Sequence, residues 1–492
     1  MEIQIIETKD GLKTFSLNNV FFHSKYSPLK EAERFVEAAT LPYTPKLIFL
    51  IEPGFAYCNE FFKKKFNGCE LAAIRLIDSN LFVSANKSDY EINYDKIINF
   101  TNYLVNTFGE EKLLGSAIFI WPAAQNIFNE KVQKILLEYK EALNLSKTLL
   151  VTRQFFEKKW LIKSCSFINY TKKLVLPQIK ENLNIVVAAS GPSLESCIDI
   201  LKKYRNNFLL IGLSSAVPVL LHNQIIPDFI LSTDGGFWAG QHLKALKDFP
   251  QIPVAASSEA FIPKAILSSN PVIPLCYNDT SSFISNSILN KAKINCLSAV
   301  RNPTVSGTAL FLALSFKPYN VFFCGLDLAA SRGFAHTNPN ELEKNNNLND
   351  NRINSKNNRI TRSCFSSNSL KLYENWFACF ENSGQLVKRV MDVKYKNNSL
   401  GNIKDISVAD FEAFIKTEPE QKDKIKFTEQ VYNNNNNSSI FEYILDALSD
   451  TVWQKQLFPA DFISMQNAGN QTAAQRLNEK LEKLKQKIRT FI

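Results

Sequence analysis

Between residues 184 and 324 one pattern repeats: a short apolar run, a turn of small residues, then a stretch with helical spacing. The runs lie at 184–189, 208–213, 229–234 and 319–324, with a possible further run at 252–256. Segments 196–205 and 306–316 carry the helical spacing. Apolar runs this short read as strands covered on both faces, and their alternation with helices requires crossover connections between parallel strands. The expectation is an α/β chain with a central doubly wound, Rossmann-like parallel sheet.

The flanks are plainer. Residues 1–165 hold two buried strands, 46–54 and 71–78, and amphipathic helices at 95–108 and 129–142, which predicts a smaller N-terminal α/β domain. The central domain is expected over 166–337. An asparagine-rich insertion follows at 338–360, with ten asparagines between 338 and 358, and reads as a mobile loop. The remainder of the central domain is placed at 361–404, and a helical region at 405–492. The last helix carries Leu477, Leu481, Leu484 and Ile488 on one face, with Arg476, Lys480, Lys483, Lys487 and Arg489 elsewhere. Core or oligomer packing suits that face better than a membrane.

Bulk properties narrow the function classes. The 492 residues exceed one ordinary core, and 45% hydrophobic with 21% charged residues is globular composition. The 38 phenylalanines fit a biased codon usage. A net charge of +10 favours anionic partners, but it is spread along the chain, and without nucleic-acid-binding motifs no nucleic acid is expected. The nine cysteines form no Cys-x-x-Cys pair, which suits free core thiols in a reducing compartment. The first residues show no leader pattern, and no apolar run approaches about 18 residues. A cytoplasmic protein without stable membrane insertion is the expectation.

Ligands of an open parallel sheet bind where strands end at their carboxyl edge. The first strand is followed by Ser190, Gly191, Pro192 and Ser193, the second by Ser214 and Ser215. The third ends in Asp234-Gly235-Gly236 and the last in Gly325-Leu326-Asp327. Gly191 lets backbone approach a ligand, Pro192 suits a first helical position, and Ser193 with the free helix N–H groups can take an anion. The same four residues also make an ordinary strand-to-helix turn with a serine cap. Ser306-Gly307-Thr308 opens a helix and reads either as a helix cap or as a second nucleotide contact. Asp234 and Asp327 suit sugar hydroxyls, Mg²⁺ or simple turns. His336 follows Asp327 by nine residues in a polar loop and is the candidate general base; His222 and His242 flank the region. Zincin, nucleophile-elbow, EF-hand, Walker and Gly-x-Gly-x-x-Gly patterns are missing.

In order, Ser190-Gly191-Pro192-Ser193, Ile226-Pro227-Asp228, Ser232-Thr233-Asp234, Ser306-Gly307-Thr308 and Gly325-Leu326-Asp327, with His336 behind, resemble the motility associated factor (Maf) family of flagellin glycosyltransferases. The central domain of that family is shared with archaeal 6-hydroxymethylpterin diphosphokinases and is similar to that of certain sialyltransferases. Residues 47–57 are similar to the strand-turn of the Maf N-terminal domain, with fewer glycines.

The resemblance implies transfer of a nonulosonic acid, of pseudaminic or legionaminic type, from a CMP-activated sugar to Ser or Thr of flagellin. It implies that Ser190, Gly191, Pro192, Ser193, Ser214, Asp234, Ser306, Gly307, Thr308 and Gly325 bind the donor, and that His336 and Asp327 are catalytic. No metal or other cofactor is implied. Leu328, Ala329 and Ala330 stand where the sialyltransferases carry aromatic residues. Two rivals remain: a diphosphokinase holding Mg²⁺ on Asp228, Asp234 and Asp327, and a non-enzymatic flagellar assembly factor.

Overall fold

Apolar runs of four to six residues dictate the layering, because each must be covered on both faces. The computed structural model describes residues 3–17, 19–77, 87–97, 99–328, 336–353, 355, 368–382, 385–394, 399–417, 419–420, 423–432, 437–468 and 471–491. The chain forms two compact units, Met1–Arg153 and Gln154–Ile492.

In the first unit, β1 (Gln4–Glu7), β2 (Lys13–Leu17) and β3 (Val20–Phe21) make an antiparallel sheet. A second, parallel sheet holds β4 (Leu47–Ile51), β5 (Glu70–Arg75), β6 (Tyr90–Asn93) and β7 (Ser116–Ile120) in the order β6-β5-β4-β7. The strand order reverses beside β4, where Glu52 is fully buried. Its carboxylate accepts from the N–H of Leu76 (2.7 Å) and Ile77 (2.9 Å) and pairs with Arg75 at 3.2 Å. Those partners satisfy a charge that burial alone would expel.

In the second unit, β8 (Val175–Ile179) pairs antiparallel with β18 (Ile425–Glu429). The strands between them are β9 (Asn184–Ala188), β10 (Leu209–Leu213), β11 (Phe229–Ser232), β12 (Val254–Ser257), β13 (Val272–Tyr277), β14 (Leu297–Ala299), β15 (Asn320–Cys324), β16 (Val387–Met391) and β17 (Lys404–Ser407). These nine form one parallel sheet in the order β14-β13-β12-β11-β10-β9-β15-β16-β17. The chain starts at β9, winds outward to β14, then crosses back to β15 on the other side of β9. The fold is thus α/β and doubly wound, and its switch point lies between β9 and β15.

Side chains alternate along β9. Ile185 and Val187 pack with Ala309, Leu310 and Ala313 of the helix Val305–Ser315, while Val186 and Ala188 pack with Leu201, Leu220 and Phe411 on the opposite face. Among the described residues no helix is long and apolar enough to cross a membrane.

Several expectations meet a different outcome. The division falls at 153/154 rather than 165/166, because Leu161, Cys165, Phe167 and Ile168, late in the helix Asn129–Tyr170, are buried in the second unit. The region from 405 is not all helical: it completes β17 and supplies β18. Nor is it a separate body, since Leu477, Leu481, Leu484 and Ile488 share a core with Ile230 and Val254 of the central sheet. In the asparagine-rich stretch, residues 341–348 form the helix Glu341–Leu348 instead of a loop. Positions 354 and 356–360 of that stretch lie outside the described residues.

The burial of Leu481 makes a direct check. Leu481→Ala is expected to cost about 2–4 kcal/mol of unfolding free energy in urea titration, while exposed Glu479→Ala stays within about 0.5 kcal/mol.

Candidate active site at the switch point

At the switch point a carboxylate takes the place that an anionic ligand was expected to take. Asp327, just past β15, accepts from the backbone N–H of Ser193 at 2.7 Å and from the Ser193 hydroxyl. The contact caps the short helix that begins at Pro192. Burial is the main influence on Asp327 and raises its carboxyl above the ordinary value, opposed by the Ser193 bonds and by the Arg389 charge. Arg389 is fully buried on β16, holds Asp405 of β17 through two bonds (2.6 and 2.8 Å) and reaches the Leu326 carbonyl at 3.4 Å.

Two glycines allow this approach. The Gly191 N–H donates to the Gly325 carbonyl at 2.8 Å, and a side chain at Gly191 would stand 2.7 Å from the Asp327 carboxylate. Gly325 has φ +77°, and a Cβ there would strike the Ala189 carbonyl.

The segment after residue 335 returns over this turn. Thr337 donates its N–H to the Ser190 carbonyl (2.8 Å) and its hydroxyl to the Gly191 carbonyl (2.6 Å). The Ser190 hydroxyl donates to Ser215 at 2.8 Å. Asn340 is buried; its amide reaches the Ser215 carbonyl at 3.3 Å and its oxygen caps the helix Glu341–Leu348.

That helix brings Glu343, which is buried, to His336: Nδ1 lies 3.3 Å from the carboxylate and the His336 backbone N–H 3.2 Å from it. The imidazole is 24% exposed. With Nδ1–H turned to a carboxylate, the lone pair stands on Nε2, the arrangement of an oriented general base. The His242 ring lies 6.4 Å from that of His336. Burial, then the neighbouring His336, lowers His242 to about 4.

The switch point thus gathers Ser190, Gly191, Pro192, Ser193, Gly325, Asp327 and His336. Ser214 is buried just after β10. Asp234 is exposed beyond β11, where it accepts from the Gly236 N–H at 2.8 Å. Ser306, Gly307 and Thr308 lie in the first turn of the helix Val305–Ser315, whose cap is Thr304. Gly307 makes room for the Trp376 ring, and the Thr308 hydroxyl bonds the Val300 carbonyl at 3.2 Å. His222 ends the helix Val217–His222.

The three aspartates proposed for Mg²⁺ do not converge. Asp228 precedes β11 and Asp234 follows it, so they stand about 20 Å apart at opposite edges of the sheet. Asp228 is bound there by Arg205 at 2.9 Å and Lys424 at 3.3 Å.

Sequence reasoning missed Glu343 and a cluster at the outer strands. Beyond β14, Arg301 pairs with Glu259 (2.7 Å) and Asp279 (2.8 Å), which follow β12 and β13, and its guanidinium lies 4.4 Å from the Tyr277 ring centre. Glu343 had a signal: Asn340 with Glu three positions later is a helix-start pattern, hidden within the asparagine run. Arg301 had none, since its partners meet only in the folded sheet.

Residues 160–333 match the family model described as 6-hydroxymethylpterin diphosphokinase MptE-like. That match lies within the second unit and spans its sheet from β9 to β15. Among solved structures, the Maf glycosyltransferase from Magnetospirillum magneticum AMB-1 aligns with 99% of this chain and 90% of its own, with a TM-score of 0.53 and 12% identity. The chain has the Maf-type fold, and the resemblance carried by the ordered turns is borne out. An uncharacterized protein of Treponema pallidum (strain Nichols) is 28% identical over 335 residues, which cover 67% of this chain and 70% of that protein. A second from the same organism is 25% identical over 109 residues, covering 22% of this chain and 52% of its own length.

Two predictions follow from the geometry. Gly325→Ala and Gly68→Ala share a positive φ, but only position 325 lacks room for a methyl group. Gly325→Ala should lower the unfolding temperature well beyond the loss of about 1 kcal/mol or more that strain alone gives Gly68→Ala. His242 is held neutral, so its contribution to stability is complete above about 6.5 and is lost as pH falls towards about 4. Unfolding temperatures from pH 7 to 4 should fall less steeply for His242→Gln than for the natural chain.

Proposed function

We propose that the switch-point crevice is the donor site of a glycosyltransferase, which moves a nonulosonic acid from its CMP-activated form to a Ser or Thr hydroxyl of flagellin in the cytoplasm. The observation that carries the reading is the His336–Glu343 pair, a half-buried imidazole oriented by a buried carboxylate. The Maf-type fold and the net positive charge support it.

In the reaction, His336 Nε2 takes the acceptor hydroxyl proton. The acceptor oxygen forms a bond to the anomeric carbon as the carbon–oxygen bond to CMP breaks, and CMP leaves with that electron pair. Glu343 stabilises the imidazolium that results. Asp327 acts through Ser193, holding the turn that shapes the crevice rather than touching the reacting atoms. Ser190, Ser214, Asp234 and Ser306 remain the groups proposed to meet the donor, with backbone N–H groups offsetting phosphate charge.

A diphosphokinase reading draws on the MptE-like match over 160–333. It lacks the three-aspartate Mg²⁺ site, because Asp228 and Asp234 occupy opposite edges of the sheet.

His336→Ala should reduce transfer from a CMP-activated sugar by about 10²-fold or more while keeping the thermal shift induced by CMP. Glu343→Gln should retain partial activity, with a loss smaller than that of His336→Ala. Full transfer by His336→Ala removes the base from the mechanism. Stabilisation by ATP with Mg²⁺ but not by CMP favours the diphosphokinase.

A further inference from the structure

The second unit contains a hollow of about 700 Å³ whose lining includes neither His336 nor Glu343. Its walls are the later turns of the helix Asn129–Tyr170, the turn after β11, the segment after β12 and the C-terminal helix Gln471–Arg489. The floor is apolar, formed by Ile162, Phe167, Ile262, Leu267 and Leu484. The polar part of the lining is almost entirely lysine. Lys158, Lys159 and Lys163 come from one helix, Lys480, Lys483 and Lys487 from another, and Lys264 from the segment between. Among the described residues no Asp or Glu lines the hollow.

Few of these charges are neutralised. Lys480 is paired with Asp461 at 2.6 Å. Lys264 donates to the Tyr170 hydroxyl at 2.9 Å and Lys163 to the Gly235 carbonyl, both neutral acceptors, with the Asp234 and Glu259 charges also acting on Lys163. Among the described residues, Lys158, Lys159, Lys483 and Lys487 form no ion pair with a carboxylate. Burial holds Lys158 below the ordinary lysine value, and Lys480, Lys159 and Lys487 push the same way against Asp461. Lysines on a single amphipathic helix would be a solvated face. Here three separate elements aim theirs at one apolar hollow, where like charges repel unless an anion joins them.

We propose that this hollow binds an amphiphilic anion, a single-chain molecule with a phosphate head held among the lysines and an apolar body on the Ile162, Phe167 and Leu484 floor. The volume lies within the ~300–1,000 Å³ typical of small-molecule sites, far below what a folded protein partner needs. Charge complementarity selects the head, and the absence of polar groups on the floor selects the body. The hollow borders the proposed donor site at the Asp234–Gly236 turn, but its lining includes neither His336 nor Glu343, and the proposal does not depend on the reading given to that site.

Dodecyl phosphate, below its micelle concentration, is the probe, titrated calorimetrically into the full-length chain. One molecule per chain is expected, bound at least about tenfold tighter than either inorganic phosphate or uncharged dodecyl maltoside. Lys483→Glu/Lys487→Glu, both exposed positions, should weaken it by about tenfold or more at an unchanged unfolding temperature. Ser166→Trp, which narrows the hollow, should weaken dodecyl phosphate alone and leave inorganic phosphate as before. His336→Ala should bind the probe like the natural chain, whatever its effect on transfer. Equal affinity for dodecyl phosphate and inorganic phosphate overturns the proposal. So does a double variant that binds like the natural chain, or attachment to phosphatidylglycerol vesicles that dodecyl phosphate does not displace.

Discussion

Asp327 ends β15 and reaches across the switch point to the N–H and hydroxyl of Ser193, at the start of the helix that follows β9. The connections after these two adjacent strands leave in opposite directions beyond their carboxyl ends. One carboxylate ties them together there, beside the Gly191–Gly325 backbone bond. Burial works against the charge, and three partners answer: two donors from Ser193 and the field of Arg389. Arg389 is itself held by Asp405 on the next strand, so the chain of contacts runs from β17 to the β9 turn. Thr337 then rests on that turn, and through Asn340 it fixes the helix that carries Glu343. The orientation of His336 is the last link.

The two edges of the central sheet differ in chemistry. At the amino edge Asp228 is answered by Arg205 and Lys424, which makes a closed structural ion cluster. At the carboxyl edge His336 is partly exposed, Asp234 is exposed, and Arg301 sits half-buried between two carboxylates. A group satisfied on all sides serves the fold; a group oriented yet still accessible is available to a substrate.

The middle of the sheet was legible because β9, β10, β11 and β15 are apolar runs bounded by small residues. The outer strands were not. β13 contains Pro274, which argues against a strand, and it is tolerated because pairing with β14 begins only at Leu275. β14 has three residues, and β16 and β17 interleave Lys388, Arg389, Lys404 and Asp405 with their apolar positions. At the site, the turn residues and His336 could be placed by position alone. That Ser193 is occupied by Asp327 could not, because the two lie 134 residues apart and only the strand order brings them together. The asparagine run concealed a helix because its composition speaks for a loop while one cap, Asn340, speaks for a helix.

The seam between Gly191 and Gly325 has a consequence for molecular recognition. Where main chain meets main chain, with the Asp327 carboxylate and Thr337 filling the space around it, the base of the crevice has a shape few substitutions can alter without breaking the fold. Under the transferase reading proposed above, discrimination between one sugar and another would then fall to the walls, on the 233–236 turn and the 336–343 segment. The crevice is a constant base plate beneath a variable rim, and a change of substrate needs only the rim.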